Sequence, residues 1–134
     1  QYYSSPKEVI DFTGIKPKKL NLNDQKDKTA EQVLEETIEK WLIQIKDMID
    51  RYIGKEYVDE DNIPGIIENV ALRMAGNMVT VAMLRRNTSL IQSDNFDMGL
   101  IQDRIFTDAI KQDLDNTVKR ENKIKAVGDR YIWD

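Results

Sequence analysis

Between Thr29 and Gly54 the chain carries one unbroken apolar stripe, in which Leu34, Ile38, Trp41, Ile45, Met48 and Tyr52 recur at 4-3-4-3-4 spacing. That is the period of an α-helix, since a strand would alternate every second residue. Thr29 is placed to cap the helix, Gln32 stands at the capping-box position three residues on, and Gly54 can take the left-handed stop. A helix with such a seam is stable only when the seam is covered, so the stripe predicts a bundle or coiled-coil contact. Leu42, Ile49 and Ile53 widen the stripe and imply more than one neighbour.

The neighbours can be read on either side. Ser5 as cap, Pro6 at the first helical position, Glu8 completing a capping box and Gly14 as stop predict a short helix over Ser5–Gly14, with Val9, Ile10 and Thr13 facing inward and Phe12 at the edge. Ile15 to Lys28, rich in Lys, Asn and Asp and holding Pro17, reads as a long surface connection. After the acidic loop Asp59–Asn62, Pro64 opens a third helix to about Arg86. Ile67, Val70, Ala71, Met74, Ala75, Met78, Val81 and Ala82 line its inner side, and Ala71, Ala75, Gly76 and Ala82 permit close approach of the second helix. Asn87–Gly99 loses helical period and reads as an extended loop or hairpin. A last helix is expected from Leu100 or Asp103 to about Asn122, with Ile101, Ile105, Ala109 or Ile110, Leu114 and Val118 on one face. The expected fold is therefore all-α, a small bundle of three to four helices over residues 1–122, with a C-terminal tail at 123–134.

Composition narrows the chemistry. With 134 residues, a chain of this length buries about two-thirds of its unfolded surface, so one domain can close without disulfides or a metal. There is no Cys and no His, which excludes disulfide scaffolds, thiol nucleophiles, histidine-based triads and the usual zinc sites. Lys and Arg number 20 against 24 Asp and Glu, a net charge of −4 that argues against a dedicated nucleic-acid binder. The apolar runs are too short to span a bilayer and no signal-peptide pattern opens the chain, so no membrane association and an intracellular protein are expected.

Of the patterns that might carry function, most have a structural reading beside the chemical one. Asp59–Asp61 lacks the alternating ligands and turn glycine of a calcium loop and suits the positive end of the third helix. Glu35 with Glu39, and Asp47 with Asp50, share helical faces and could be drawn as acid–base pairs, or be solvated surface. Gly65 and Gly76 are isolated and build no phosphate loop. Met74, Met78 and Met83 fill a core or form an adaptable face, and Trp41 is core or an assembly contact. The lysines at 16, 18, 19, 26 and 28 form a basic stretch that is either solvated or set against an acidic neighbour. Arg85 and Arg86 end a helix or bridge to another subunit. From Lys119 to Arg130 there are five bases against two acids, followed by aromatics, a composition suited to docking on another protein. No catalytic constellation, cofactor motif or metal set emerges, so the chain reads as a non-enzymatic assembly component. The alternatives are a helical DNA-binding packaging or regulatory subunit, and a regulator that binds one partner.

The opening Ser-Pro-Lys-Glu-Val-Ile-Asp-Phe-Thr-Gly (Ser5–Gly14), the helix end Ile-Asp-Arg-Tyr-Ile-Gly (Ile49–Gly54), Ile63-Pro64 with the Ala-rich helix to Ala82, and the polar stretch at Ser93–Gly99 before a last helix and tail form one layout. This layout resembles the head-to-tail connector, or adaptor, proteins of long-tailed bacteriophages and their prophage relatives. The resemblance implies a virion component assembled in the host cytoplasm: a ring, expected to be twelve-fold, beneath the portal protein. Such a ring extends the DNA channel, passes DNA without reading its sequence, and presents a surface to the next connector or tail-completion protein. It implies no cofactor and no catalytic residues. By the same analogy the tail residues Ile124, Lys125, Val127, Arg130, Tyr131 and Trp133 would dock on the portal. Arg85, Arg86, Leu90, Ile91, Asp94, Phe96 and Met98 would meet neighbouring subunits or the channel.

Overall fold

A computed structural model describes residues 2–85 and 102–116 of the chain. Among them the fold is all-α, with helices α1 (Pro6–Thr13), α2 (Ala30–Ile53), α3 (Gly65–Leu84), α4 (Gln102–Ile105) and α5 (Asp108–Leu114) and no named strand. α2 and α3 form the central pair, α1 packs on both, and α4 and α5 lie against α3.

The local signals act as their chemistry requires. The Ser5 hydroxyl accepts the Glu8 N–H at 3.2 Å and Gly14 closes α1 at φ 68°, but the Glu8 carboxylate accepts from the Ser5 hydroxyl at 3.1 Å and not from its N–H, so the expected capping box is not completed. At the head of α2 the Thr29 hydroxyl accepts the Gln32 N–H at 3.2 Å while the Gln32 amide oxygen accepts the Thr29 N–H at 2.8 Å, satisfying two donors the helix itself cannot. Gly54 ends α2 at φ 77°, a conformation costly to any residue with a Cβ.

Three expectations are corrected. First, the residues buried on α2 are Val33, Leu34, Thr37, Ile38, Trp41, Leu42, Ile45, Ile49 and Ile53, with Met48 and Tyr52 only partly covered. The stripe follows the i, i+4 row, which winds across the helix axis, rather than a strict heptad seam. That is the ridge by which helices of globular domains commonly interlock. Second, the connection at 15–28 is not simply surface. Ile15, Leu20 and Leu22 are buried, and a 3₁₀ turn at Pro17–Leu20, closed by Asn21 at φ 55°, folds them inward while its lysines stay outside. Third, the last helix is not continuous: α4 stops at Ile105 and α5 starts anew after Thr107. The Thr107 hydroxyl accepts the Ile110 N–H at 3.3 Å, and the Asn77 side-chain amide of α3 donates to the Ile105 carbonyl at 3.0 Å, so side chains serve backbone groups that the break leaves open. Phe106, at the break, is buried and meets Tyr52 edge-on at 5.2 Å. The expected extended stretch at 87–99, the end of the last helix and the tail lie outside the described residues.

Trp41 is 2% exposed and Met74 and Met78 are fully buried, so these belong to the core, whereas Met83 faces outward. Gly76 has a different role from the one its spacing implies. A Cβ placed there would meet the Phe12 ring of α1 at 3.1 Å, so the close approach it permits is to α1 and not to α2.

Candidate functional site

Among the described residues, two open grooves and one polar cluster stand out on the surface. The first groove, about 510 Å³, runs between α1, α3 and α5 over Gly76, Val79 and Ile110, with Phe12 and Met83 on its walls and Arg73 at its edge. Arg73 is held there by Asp113 of α5 at 2.6 Å. Phe12, over Gly76, is 58% exposed, and Met83 and Leu84 are exposed at the end of α3. Because the Phe12 ring is free on one side, it can yield to a small addition beneath it. Gly76→Ala is therefore expected to be neutral or to raise stability, by up to about 1 kcal/mol, the difference in helix propensity. A urea midpoint shift checks this, and a large loss would mean that Phe12 is fixed in place.

The second groove, also about 510 Å³, lies between α1, the 3₁₀ turn and the first turns of α2. Its floor is apolar, from Ile10, Ile15, Leu22 and Leu34. Lys16 and Lys18 stand on the turn side, and Glu31 and Glu35 on the α2 side.

The polar cluster joins the start of the chain to the far half of α2. Tyr3 donates its hydroxyl to Asp50 and accepts the Tyr57 N–H at 3.0 Å. Lys46 reaches Asp50 at 2.8 Å and Glu56 at 2.5 Å, and its ammonium lies 5.1 Å from the Tyr3 ring centre. Burial pushes the Tyr3 hydroxyl up to about 12, helped by its bond to Asp50. Burial alone would lower Lys46, but its bonds to Asp50 and Glu56 outweigh that and hold its pKa above the ordinary value. The same bond from Lys46 lowers Glu56. A lysine held charged in this way is a strut rather than a base.

Three of the four carboxylates singled out in the sequence are occupied with structural tasks, and Glu35 lines the second groove. Glu39 accepts the Tyr2 hydroxyl at 2.9 Å, Asp47 pairs with Arg51 at 2.9 Å, and Asp50 belongs to the cluster above. Asp59 turns inward on its own loop, accepting the Asp61 N–H at 3.0 Å and the Asn62 amide at 2.8 Å. Among the described residues no group of acidic side chains is arranged to hold a metal ion, and no helix is long and apolar enough to cross a membrane.

Of the residues expected to meet neighbours, Arg85 alone is described; it is exposed at the C-cap of α3. Arg86, Leu90, Ile91, Asp94, Phe96 and Met98, and the docking residues Ile124, Lys125, Val127, Arg130, Tyr131 and Trp133, lie outside the described residues. The sequence reading missed both grooves and the tyrosine–carboxylate bonds, whose partners are 37 residues apart for Tyr2 and Glu39 and 47 for Tyr3 and Asp50. The one available signal was the density of tyrosines, at positions 2, 3, 52 and 57, in a chain rich in acids. Compared with protein-family models, curated proteins and solved structures, the chain matches none.

Proposed function

We propose that the chain is a structural head-to-tail connector subunit of a tailed phage particle. In this reading it forms a ring under the portal, extends the DNA channel and joins the capsid to the tail. The observation that carries the reading is how the resembling segments come together. Ser5–Gly14 is the capped helix α1, Ile49–Gly54 is the glycine-stopped end of α2, and the Ala-rich segment is α3, with α1 seated on both of the others. The exposed Phe12 and Met83, which line the first groove together, add support, because exposed apolar side chains gathered at one place suit a protein that acts through contacts with other proteins. A ring would multiply weak single contacts into firm attachment, as linked sites do in general.

Light scattering on the chain alone and with purified portal protein tests the proposal. The expected result is a portal complex of fixed, multi-subunit stoichiometry. A chain indifferent to portal but shifted by duplex DNA would instead favour a DNA-binding role. Removal of residues 124–134 is expected to abolish the portal complex while leaving the thermal unfolding midpoint nearly unchanged; an unchanged complex would remove the tail from the docking role.

A further inference from the structure

The second groove and the loop after α2 carry complementary patterns that one copy cannot bring together. The groove has an apolar floor with Lys16 and Lys18 on one rim and Glu31 and Glu35 on the other. Both lysines are exposed and their ammonium groups make no ion pair or hydrogen bond among the described residues, so their charge is available. The loop after α2 presents Val58, 68% exposed, with Lys55 before it and Asp59, Glu60 and Asp61 after it. Along the loop the order is base, apolar knob, acids; across the groove it is acids, apolar floor, bases. Glu56 and Asp59 do not enter this pattern, because Lys46 holds the first and the Asp61 N–H and Asn62 amide occupy the second.

Within one molecule the two surfaces are kept apart. The groove sits at Ala30–Glu35, and the loop is pinned by Tyr3 and Lys46 to the opposite half of α2. From Leu34 to Lys46 the helix advances ~18 Å at 1.5 Å per residue. Two different patches that fit each other but not within one chain make a head-to-tail contact, which repeats until it closes as a ring or runs on as a filament.

We propose that the Val58 loop of one copy docks in the Lys16/Lys18 groove of a second copy, with Val58 on the apolar floor and Glu60 and Asp61 against the lysines. Lys55 then faces Glu31 and Glu35. This goes beyond the connector reading in naming the surfaces through which copies join, and it requires no portal. The contact buries a small knob and several exposed charges, so it is weak in isolation and weakens with salt, since surface charges are screened beyond about 8 Å at physiological ionic strength.

Sedimentation velocity on the full chain, without portal and across a concentration series, provides the test. The wild-type chain is expected to associate at low salt and to dissociate as salt rises. Val58→Asp, which spoils the knob, and Lys16→Glu with Lys18→Glu, which spoils the groove, should each raise the concentration needed for association at least tenfold. All three positions are exposed, so circular dichroism should show both variants folded. Mixed together they retain one good knob and one good groove, and should form a 1:1 heterodimer that grows no further. A wild-type chain that stays monomeric at low salt, variants that associate as the wild type does, or a mixture that forms no heterodimer would each overturn the proposal. The portal experiment reads a different complex, so failure here leaves the connector reading to be judged on its own result.

Discussion

Trp41→Ala is expected to destabilise the protein by about 3–5 kcal/mol, read as a fall in the urea or thermal unfolding midpoint. Trp41 is 2% exposed in the middle of α2, between Ile38 and Ile45, both fully buried. Truncation removes the transfer energy of the largest side chain in the core and leaves a void that neighbours on a long helix cannot collapse to fill. A domain of this size is commonly stable by only about 5–15 kcal/mol, so the loss is a large share of the total. The substitution also distinguishes the two roles that the sequence leaves open. A side chain serving an assembly contact would be dispensable to the isolated chain, and its removal would cost little in the unfolding experiment while weakening association.

What was legible in the sequence was local. The starts of α1 and α2 depend on Ser5, Glu8, Thr29 and Gln32, whose hydrogen bonds close within three residues, so reading a few positions reads the interaction itself. The inner face of α3 was legible for the same reason, because its apolar residues repeat at the helical period without interruption. The burial of Leu20 and Leu22 was hidden by the lysines and asparagines around them. A 3₁₀ turn repeats every three residues, so it carries Pro17 and Leu20 on one side and leaves Lys18 and Lys19 outside, a division that average polarity cannot show. The break at Thr107 left a trace: Ile105 and Ile110 are both buried although they stand five residues apart, one more than a single helical turn accommodates. Thr107 followed by Asp108 is the start signal of a new helix, and its hydroxyl serves that purpose.

The surface features were less legible, because each depends on residues that meet only after folding. The groove at Lys16 and Lys18 needs α1, the turn and α2 in place before it has walls. The tyrosine bonds need partners from separate elements: Tyr52 of α2 donates to Asp115, just past α5, at 2.8 Å, across 63 residues of chain. No periodicity connects such positions. The charge of the 3₁₀ turn could be read from the sequence, but its availability could not, since a lysine acts as a docking group only if no neighbouring acid already holds it.

The bond between Tyr3 and Asp50 predicts a loss of stability in alkali. The folded state holds the Tyr3 hydroxyl at about 12, chiefly by burial and then by its bond to Asp50, against an ordinary value of 10.0 in the unfolded chain. The folded pKa is the higher one, so above pH 10 the unfolded state gives up its proton first, and stability falls as pH rises. The contribution is fully present below pH 10 and is lost as pH passes through 10 toward 12, by roughly 2–3 kcal/mol at 1.36 kcal/mol per pH unit of separation. Lys46, also raised, has the same sign: its contribution is present below 10.5 and is lost as pH rises through its folded value. Urea unfolding at a series of pH values, beside the tyrosinate absorbance, measures the slope directly. Tyr3→Phe should flatten the part of the curve between pH 10 and 12 while costing about 1–3 kcal/mol near neutrality, because the Tyr57 N–H loses its partner and Asp50 keeps only Lys46. If the variant keeps the full wild-type slope, the Tyr3 bond is not what fastens the start of the chain to α2, and the loop that carries Val58 would lose one of its two anchors, leaving only Lys46 on Glu56.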